Sequence, residues 1–231
     1  MQMNKKKNFA TFMLPSVVIL TAVLALPLVY SLVVSFFDTN LKSSGLGEFV
    51  GIGNYTAALT DSYFRGSVGT TIIFTIGVVT FEFLVGLAIA LLLNVNVTGK
   101  SIYFSIIIIP MMITPVAVGL IWRLLLHSEL GIVNYFLEMI GMSGQAWLAG
   151  SSLALKTVMF IDVWQNVPYM VLVILAGLVS LPAEPYEAAR VDGASMWQRF
   201  RYLTMPMMSP TFMVVILMRA ITALKTYDLI Y

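Results

Sequence analysis

Apolar and polar positions alternate along this chain in long blocks. Five apolar runs, about residues 9–37, 68–93, 102–126, 153–181 and 209–231, are separated by shorter polar or glycine-rich stretches. A helix needs about 20 apolar residues to cross a bilayer, so each block predicts one spanning helix. The first is longer than the ~7–15-residue core of a secretory signal, and no A-x-A site closes it. It reads as a retained span behind a short N-terminal segment, residues 1–8.

The stretches between the blocks differ in kind. Residues 38–65 carry Gly45, Gly47, Gly51 and Gly53 and read as turns with a short helix near residues 55–59. Residues 131–144 are apolar but too short to cross; GIVNYFLEMIG fits a helix lying at the outer interface. Residues 182–208 are polar and sharply punctuated. Pro182 and Pro185 end the fourth span and suit the first turn of a new helix. Glu184 and Glu187 favour the positive end of that helix. Gly193 stops it, because glycine adopts the left-handed C-cap most cheaply. Ser195 and Gln198 form a capping box that starts a second helix, which Pro206 and Pro210 are expected to end before span five. The product is helix, glycine corner, helix. Met196, Trp197, Phe200 and Leu203 give its second arm an apolar side. Such an elbow suits docking into a partner's groove, or packing on the protein's own spans; spacing alone leaves both open.

Composition narrows the class. The chain is 59% hydrophobic and 10% charged, with a mean hydropathy of +0.92. Soluble domains carry about 25% charged residues, so this is an integral membrane protein. A net charge of +2 gives no case for nucleic acid. No cysteine is present, and His127 is the single histidine, which leaves little for a metal centre or a histidine-based active site. Positive charges set the orientation. Lys5, Lys6, Lys7, Lys100, Arg190, Arg199 and Arg201 fall on one side if the spans alternate, against Lys42 and Arg65 opposite. The N-terminus and the elbow are therefore expected to be cytoplasmic.

Ionisable groups within a span face a pathway or a partner. Glu82 and Arg219 lie about halfway along spans two and five, at similar depth. They read as an ion pair or as substrate contacts. Asp162, Trp164, Gln165 and Asn166 precede Pro168, with Tyr169 just after it. Planar hydrogen-bonding groups beside aromatic faces suit a sugar-lined pathway; the other reading is an aromatic-belt tryptophan with polar residues packing between helices. Pro110 and Pro115 can break span three. Trp122, Arg123 and His127 read as boundary residues, Lys225 as a cation that snorkels outward near Tyr227 and Asp228, and the 15 methionines as apolar filler.

Glu187-Ala188-Ala189, three residues, Gly193, nine residues and Leu203-Thr204-Met205-Pro206 together resemble the signature of the permease subunits of binding-protein-dependent ABC importers. Met205 stands where that signature usually has leucine. FVGIGNY, GLAIALLLN, IIIIPMMITPVAVGLIWRLLL, DVWQNVPYMVLVILAGLVSLP and ALKTYDLIY look like the sugar-type branch, which takes up sugars, sugar alcohols and glycerol phosphates. The resemblance implies an all-α polytopic bundle in a bacterial or archaeal inner membrane. It makes the elbow a coupling helix seated in a cleft of a separate ATP-binding subunit, with Glu187, Ala188, Ala189, Asp192, Gly193 and Pro206 at or beside the contact. It implies a second, non-identical permease subunit, an extracytoplasmic solute-binding protein, and surrounding membrane lipid. ATP and magnesium would be used by the partner, and none is expected on this chain, which lacks a G-x-x-x-x-G-K-[ST] loop. The family usually has six spans; five are read here before Tyr231, the expectation being a fragment or a truncated chain. Three alternatives stand beside it: a permease for a non-sugar solute, a non-transporting scaffold, and an intramembrane enzyme. The last lacks a nucleophile paired with a base, and a G-x-S-x-G motif.

Overall fold

A computed structural model describes residues 12–39, 45–95 and 98–226. Lys5, Lys6, Lys7, Lys42, Tyr227 and Asp228 lie outside the described residues. The described chain is almost entirely helical and divides after Gly69 into two compact units. Among the described residues four helices are long and apolar enough to cross a membrane, and a bent pair would make a fifth if it counts as one span.

The first unit begins with α1, Phe12–Val34, whose apolar surface is unburied. Within it Thr21–Ala25 form a π turn in which the Leu26 N–H reaches the Thr21 carbonyl. Pro27 follows directly; lacking an N–H, it cannot bond the carbonyl four residues back, and the wider turn accommodates its ring. After α1 the chain forms a two-residue antiparallel ribbon, β1 (Phe37–Asp38) with β2 (Glu48–Phe49). The turns expected from the glycines thus contain a short strand pairing as well as α2, Gly53–Thr60. Asn54 ties the segment down by donating to the carbonyls of Ser35 (2.9 Å) and Phe37 (3.0 Å). The Ser35 and Tyr55 hydroxyls meet at 2.6 Å.

The long helix α3, Ser62–Leu93, starts in the first unit and supplies one wall of the second. There follow α4 (Lys100–Met112), α5 (Pro115–Leu125), α6 (Ile132–Met139), α7 (Ser151–Val179), α8 (Glu184–Val191) and α9 (Met196–Leu224). The second unit's core lies among α3, α7 and α9, around Val78, Ala90, Met170, Ile174, Met208 and Val215. Two glycines set the crossings. A Cβ at Gly86 would stand 2.5 Å from Met170 Cβ, and one at Gly177 would stand 2.9 Å from Thr211 Cγ2. Small residues of this kind let membrane helices approach closely.

One expectation holds and one needs correcting. The third apolar block breaks at Pro115, one of the two prolines that could break it: α4 and α5 meet at 93°. Pro115 disfavours helical geometry at the residue before it, and Thr114 is extended at φ −64°, ψ 143°. Ile113 is extended too. The fifth block is not preceded by a break. The second arm of the elbow runs through Pro206 and Pro210 into the span as the single helix α9. A π turn at Phe200–Thr204 makes this feasible, with the Met205 N–H bonded to the Phe200 carbonyl. Pro206 stands in the same place after its π turn as Pro27 does in α1.

Candidate functional site

Three charged side chains from three helices meet inside the second unit. Glu82 on α3, Asp162 on α7 and Arg219 on α9 are 0%, 3% and 3% exposed. Arg219 Nε contacts Glu82 Oε2 at 2.7 Å, and Arg219 Nη2 donates to Glu82 Oε1 at 2.9 Å. The same Nη2 pairs with Asp162 Oδ2, while Nη1 donates to Thr222 Oγ1 at 3.1 Å. The planar guanidinium can satisfy both acids because it presents five donors in a fixed fork. Of the two readings their matching depth allows, an ion pair or substrate contacts, Glu82 and Arg219 form the pair. Asp162, read as either pathway lining or polar packing between helices, joins them as the third member.

That assignment changes the meaning of the cluster before Pro168. Gln165 is buried and donates from Nε2 to the Ile113 carbonyl at 3.1 Å. It thereby satisfies a backbone acceptor freed where α4 breaks from α5. Asn166 turns back on its own helix, donating to the Asp162 carbonyl at 3.0 Å and to Asp162 Oδ1 at 3.3 Å. Tyr169 is half-buried. Trp164 points outward and meets Trp122 edge-on, with ring centres 5.5 Å apart. The polar members are thus engaged within the protein, and α7 runs unbroken across Pro168.

Up to the start of its second arm, the elbow is built as its punctuation requires. Pro185 sits in the first turn of α8 with Glu184 and Glu187 beside it. Gly193 adopts φ +78°, the left-handed region open chiefly to glycine. The Ala194 N–H reaches the Ala189 carbonyl at 2.9 Å and the Gly193 N–H reaches Arg190 at 3.2 Å, a complete Schellman closure. The capping box is present, the Ser195 N–H donating to Gln198 Oε1 at 2.7 Å and the Gln198 N–H to Ser195 Oγ at 3.2 Å. The Tyr186 hydroxyl and Thr204 Oγ1 lie 2.9 Å apart, fastening α8 to the π turn of α9. Ala189, Asp192 and Gly193 border a concavity of about 370 Å³. Glu187, Ala188 and Pro206 are exposed, and so are Val191, Met196, Trp197 and Tyr202.

Asn134 organises the segment between α5 and α7, and nothing in the hydrophobic pattern marks it. It is 2% exposed on α6. Its Nδ2 donates to the carbonyls of Ser128 (2.9 Å) and Gln145 (3.0 Å), and its Oδ1 accepts from Trp147 Nε1 at 2.8 Å and the Gln145 N–H at 3.1 Å. The available signal was an asparagine inside a mostly apolar short helix.

Residues 82–231, which hold the three-helix ion cluster and the elbow, match the family described as binding-protein-dependent transport system inner membrane component. The chain belongs to this family. Its members are membrane components of transport systems and not enzymes. A probable ABC transporter permease protein of Sinorhizobium fredii is 38% identical over 95% of this chain and 71% of its own length. The trehalose/maltose transport system permease protein of Thermococcus litoralis is 36% identical over 79% of the chain and 62% of its own length. The sulfoquinovosyl glycerol transport system permease protein of Agrobacterium fabrum is 33% identical over 94% and 70%. The chain therefore spans roughly two thirds of the length of these relatives. The fold matches a bacterial ABC transporter that imports the acidic polysaccharide alginate, with a TM-score of 0.82 and 22% identity over 97% of this chain and 76% of that one.

Proposed function

We propose that this chain is a permease subunit of an ATP-driven importer for a carbohydrate-class solute: a sugar, a sugar alcohol or a glycerol phosphate. It forms part of the translocation pathway and couples through residues 184–206 to a separate ATPase. The elbow carries this reading. It is a short helix, a left-handed glycine and a second helix continuous with a span. A push on α8 passes through the Tyr186–Thr204 contact into α9, and along α9 to Arg219. The exposed apolar side chains around the corner, Val191, Met196 and Trp197, offer a partner the surface it needs. The carbohydrate class is supported by the named transport systems of the relatives.

In this reading the N-terminus and elbow are cytoplasmic, a second, non-identical permease subunit completes the pathway, and an outer binding protein delivers the solute. The ion cluster joins the moving helix α9 to α3 and α7. The absence of cysteine makes the test direct. Ala189→Cys, co-expressed with the ATPase carrying a cysteine in its groove, should crosslink in a nucleotide-dependent way. A cysteine that is cytoplasmic and reactive, yet never crosslinks in assembled complex, removes the coupling role.

A further inference from the structure

A second cavity, far from the elbow in sequence, lies between α5 and α7. It measures about 370 Å³ and is walled by Trp122, Leu126, Trp147 and Phe160, with Thr157 and Lys156 on α7. Its polar atoms are largely committed. The Thr157 hydroxyl donates to the Leu153 carbonyl at 3.0 Å, and the Trp147 indole N–H is held by Asn134. Lys156 is exposed and forms no ion pair among the described residues. Arg123 borders an adjoining cavity that shares Leu126 and Trp147. Apart from Lys156, these walls leave few of the hydrogen-bond partners a sugar would need.

The apolar surface also has a direction. Trp122 meets Phe160 edge-on at 5.7 Å and Trp164 at 5.5 Å. Phe160 and Trp164 are one turn apart on α7, so the aromatic floor continues from Lys156 for roughly 12 Å along the helix at 1.5 Å per residue. Lys156 lies in the second turn of α7, near one end of the span. There a lysine carries its ammonium to the membrane interface while its stem stays among apolar groups. A charged head above an aromatic trough matches one amphiphile in shape and sign. We propose that this crevice binds an acyl chain of an anionic phospholipid, with the phosphate on Lys156.

The chain has four tryptophans, and three of them, Trp122, Trp147 and Trp164, lie along this trough; the fourth, Trp197, is on the elbow. The experiment uses the full chain carrying Trp197→Phe in phosphatidylcholine vesicles. Its fluorescence is quenched with a minor fraction of brominated phosphatidylglycerol or, separately, brominated phosphatidylcholine. The anionic lipid should bind about fivefold better, the share expected of one interfacial cation. Lys156→Ala should erase that preference and Lys156→Arg should keep it. Equal quenching by the two lipids would mean ordinary bilayer contact and overturn the proposal. So would a preference that survives Lys156→Ala. Absence of quenching by either lipid would show that no acyl chain enters the crevice, and would overturn it as well.

Discussion

Arg219 is the residue on which most depends. It faces two carboxylates, so the cluster holds one more acid than base. Arg219→Met leaves Glu82 and Asp162 buried without a cation, and breaking a buried pair from one side costs about 3–5 kcal/mol. Asp162→Asn leaves a balanced Arg219–Glu82 pair and should cost less than about 1.5 kcal/mol, the scale of one hydrogen bond. Denaturant unfolding in detergent micelles separates the two; equal losses would mean the charges are not coupled as drawn. The Glu82–Arg219 pair was legible because both residues sit mid-span at matching depth. Asp162 reads as lying in the outer half of span four, and its neighbours Trp164, Gln165 and Asn166 suggested a different company. Sequence order places them together, whereas helical rotation separates them: Asp162 and Gln165 turn inward, and Trp164 turns out.

At the scale of the element, glycine and proline act through what stands next to them. Gly86 abuts Met170 Cβ, which cannot move without moving α7, while Gly77 would meet only the end of Met159, its Cε. Gly86→Ala should therefore destabilise by about 1–3 kcal/mol, as overpacking does, and Gly77→Ala by clearly less. Matched unfolding midpoints would show that α3 and α7 do not cross so tightly. Gly193→Val places a branched side chain at φ +78°, at a cost of about 1–2 kcal/mol. It should raise proteolysis at the elbow while leaving the spans folded. The prolines were harder to read. Pro115 breaks the third block at 93° because the residues before it are extended, and the Gln165 side chain supports the freed carbonyl. Pro206 breaks nothing, because a π turn absorbs it. A proline in a pattern announces a missing donor; whether the chain bends or widens depends on which neighbours satisfy the carbonyl left behind.

At the scale of the molecule, the distribution of lysine and arginine leads to a topology that can be measured. Met142→Cys, exposed before α7, and Ala189→Cys, after it, should lie on opposite sides of the membrane. An impermeant maleimide applied to intact cells should label the first at once and the second only after permeabilisation. Labelling of both from one side would place α7 outside the set of crossing helices, and immediate labelling of Ala189→Cys would reverse the orientation of the elbow. The exposed apolar surface of α1 and of the outer faces of α3 and α9 is what lipid or neighbouring subunits would cover.

The amino-acid order by itself determined the membrane class, the number of apolar blocks and the architecture of the elbow. Each of these rests on local physics: transfer of side chains from water, backbone preferences of glycine and proline, and caps formed within a few residues. The third member of the ion cluster, the 93° angle at the break and its support by Gln165, the continuity of α9 and the Asn134 hub were left to the tertiary structure. Those depend on which side chain reaches which carbonyl or carboxylate across tens of residues. Helix rotation and neighbouring backbone set that reach, and neither is written in any short stretch of the chain.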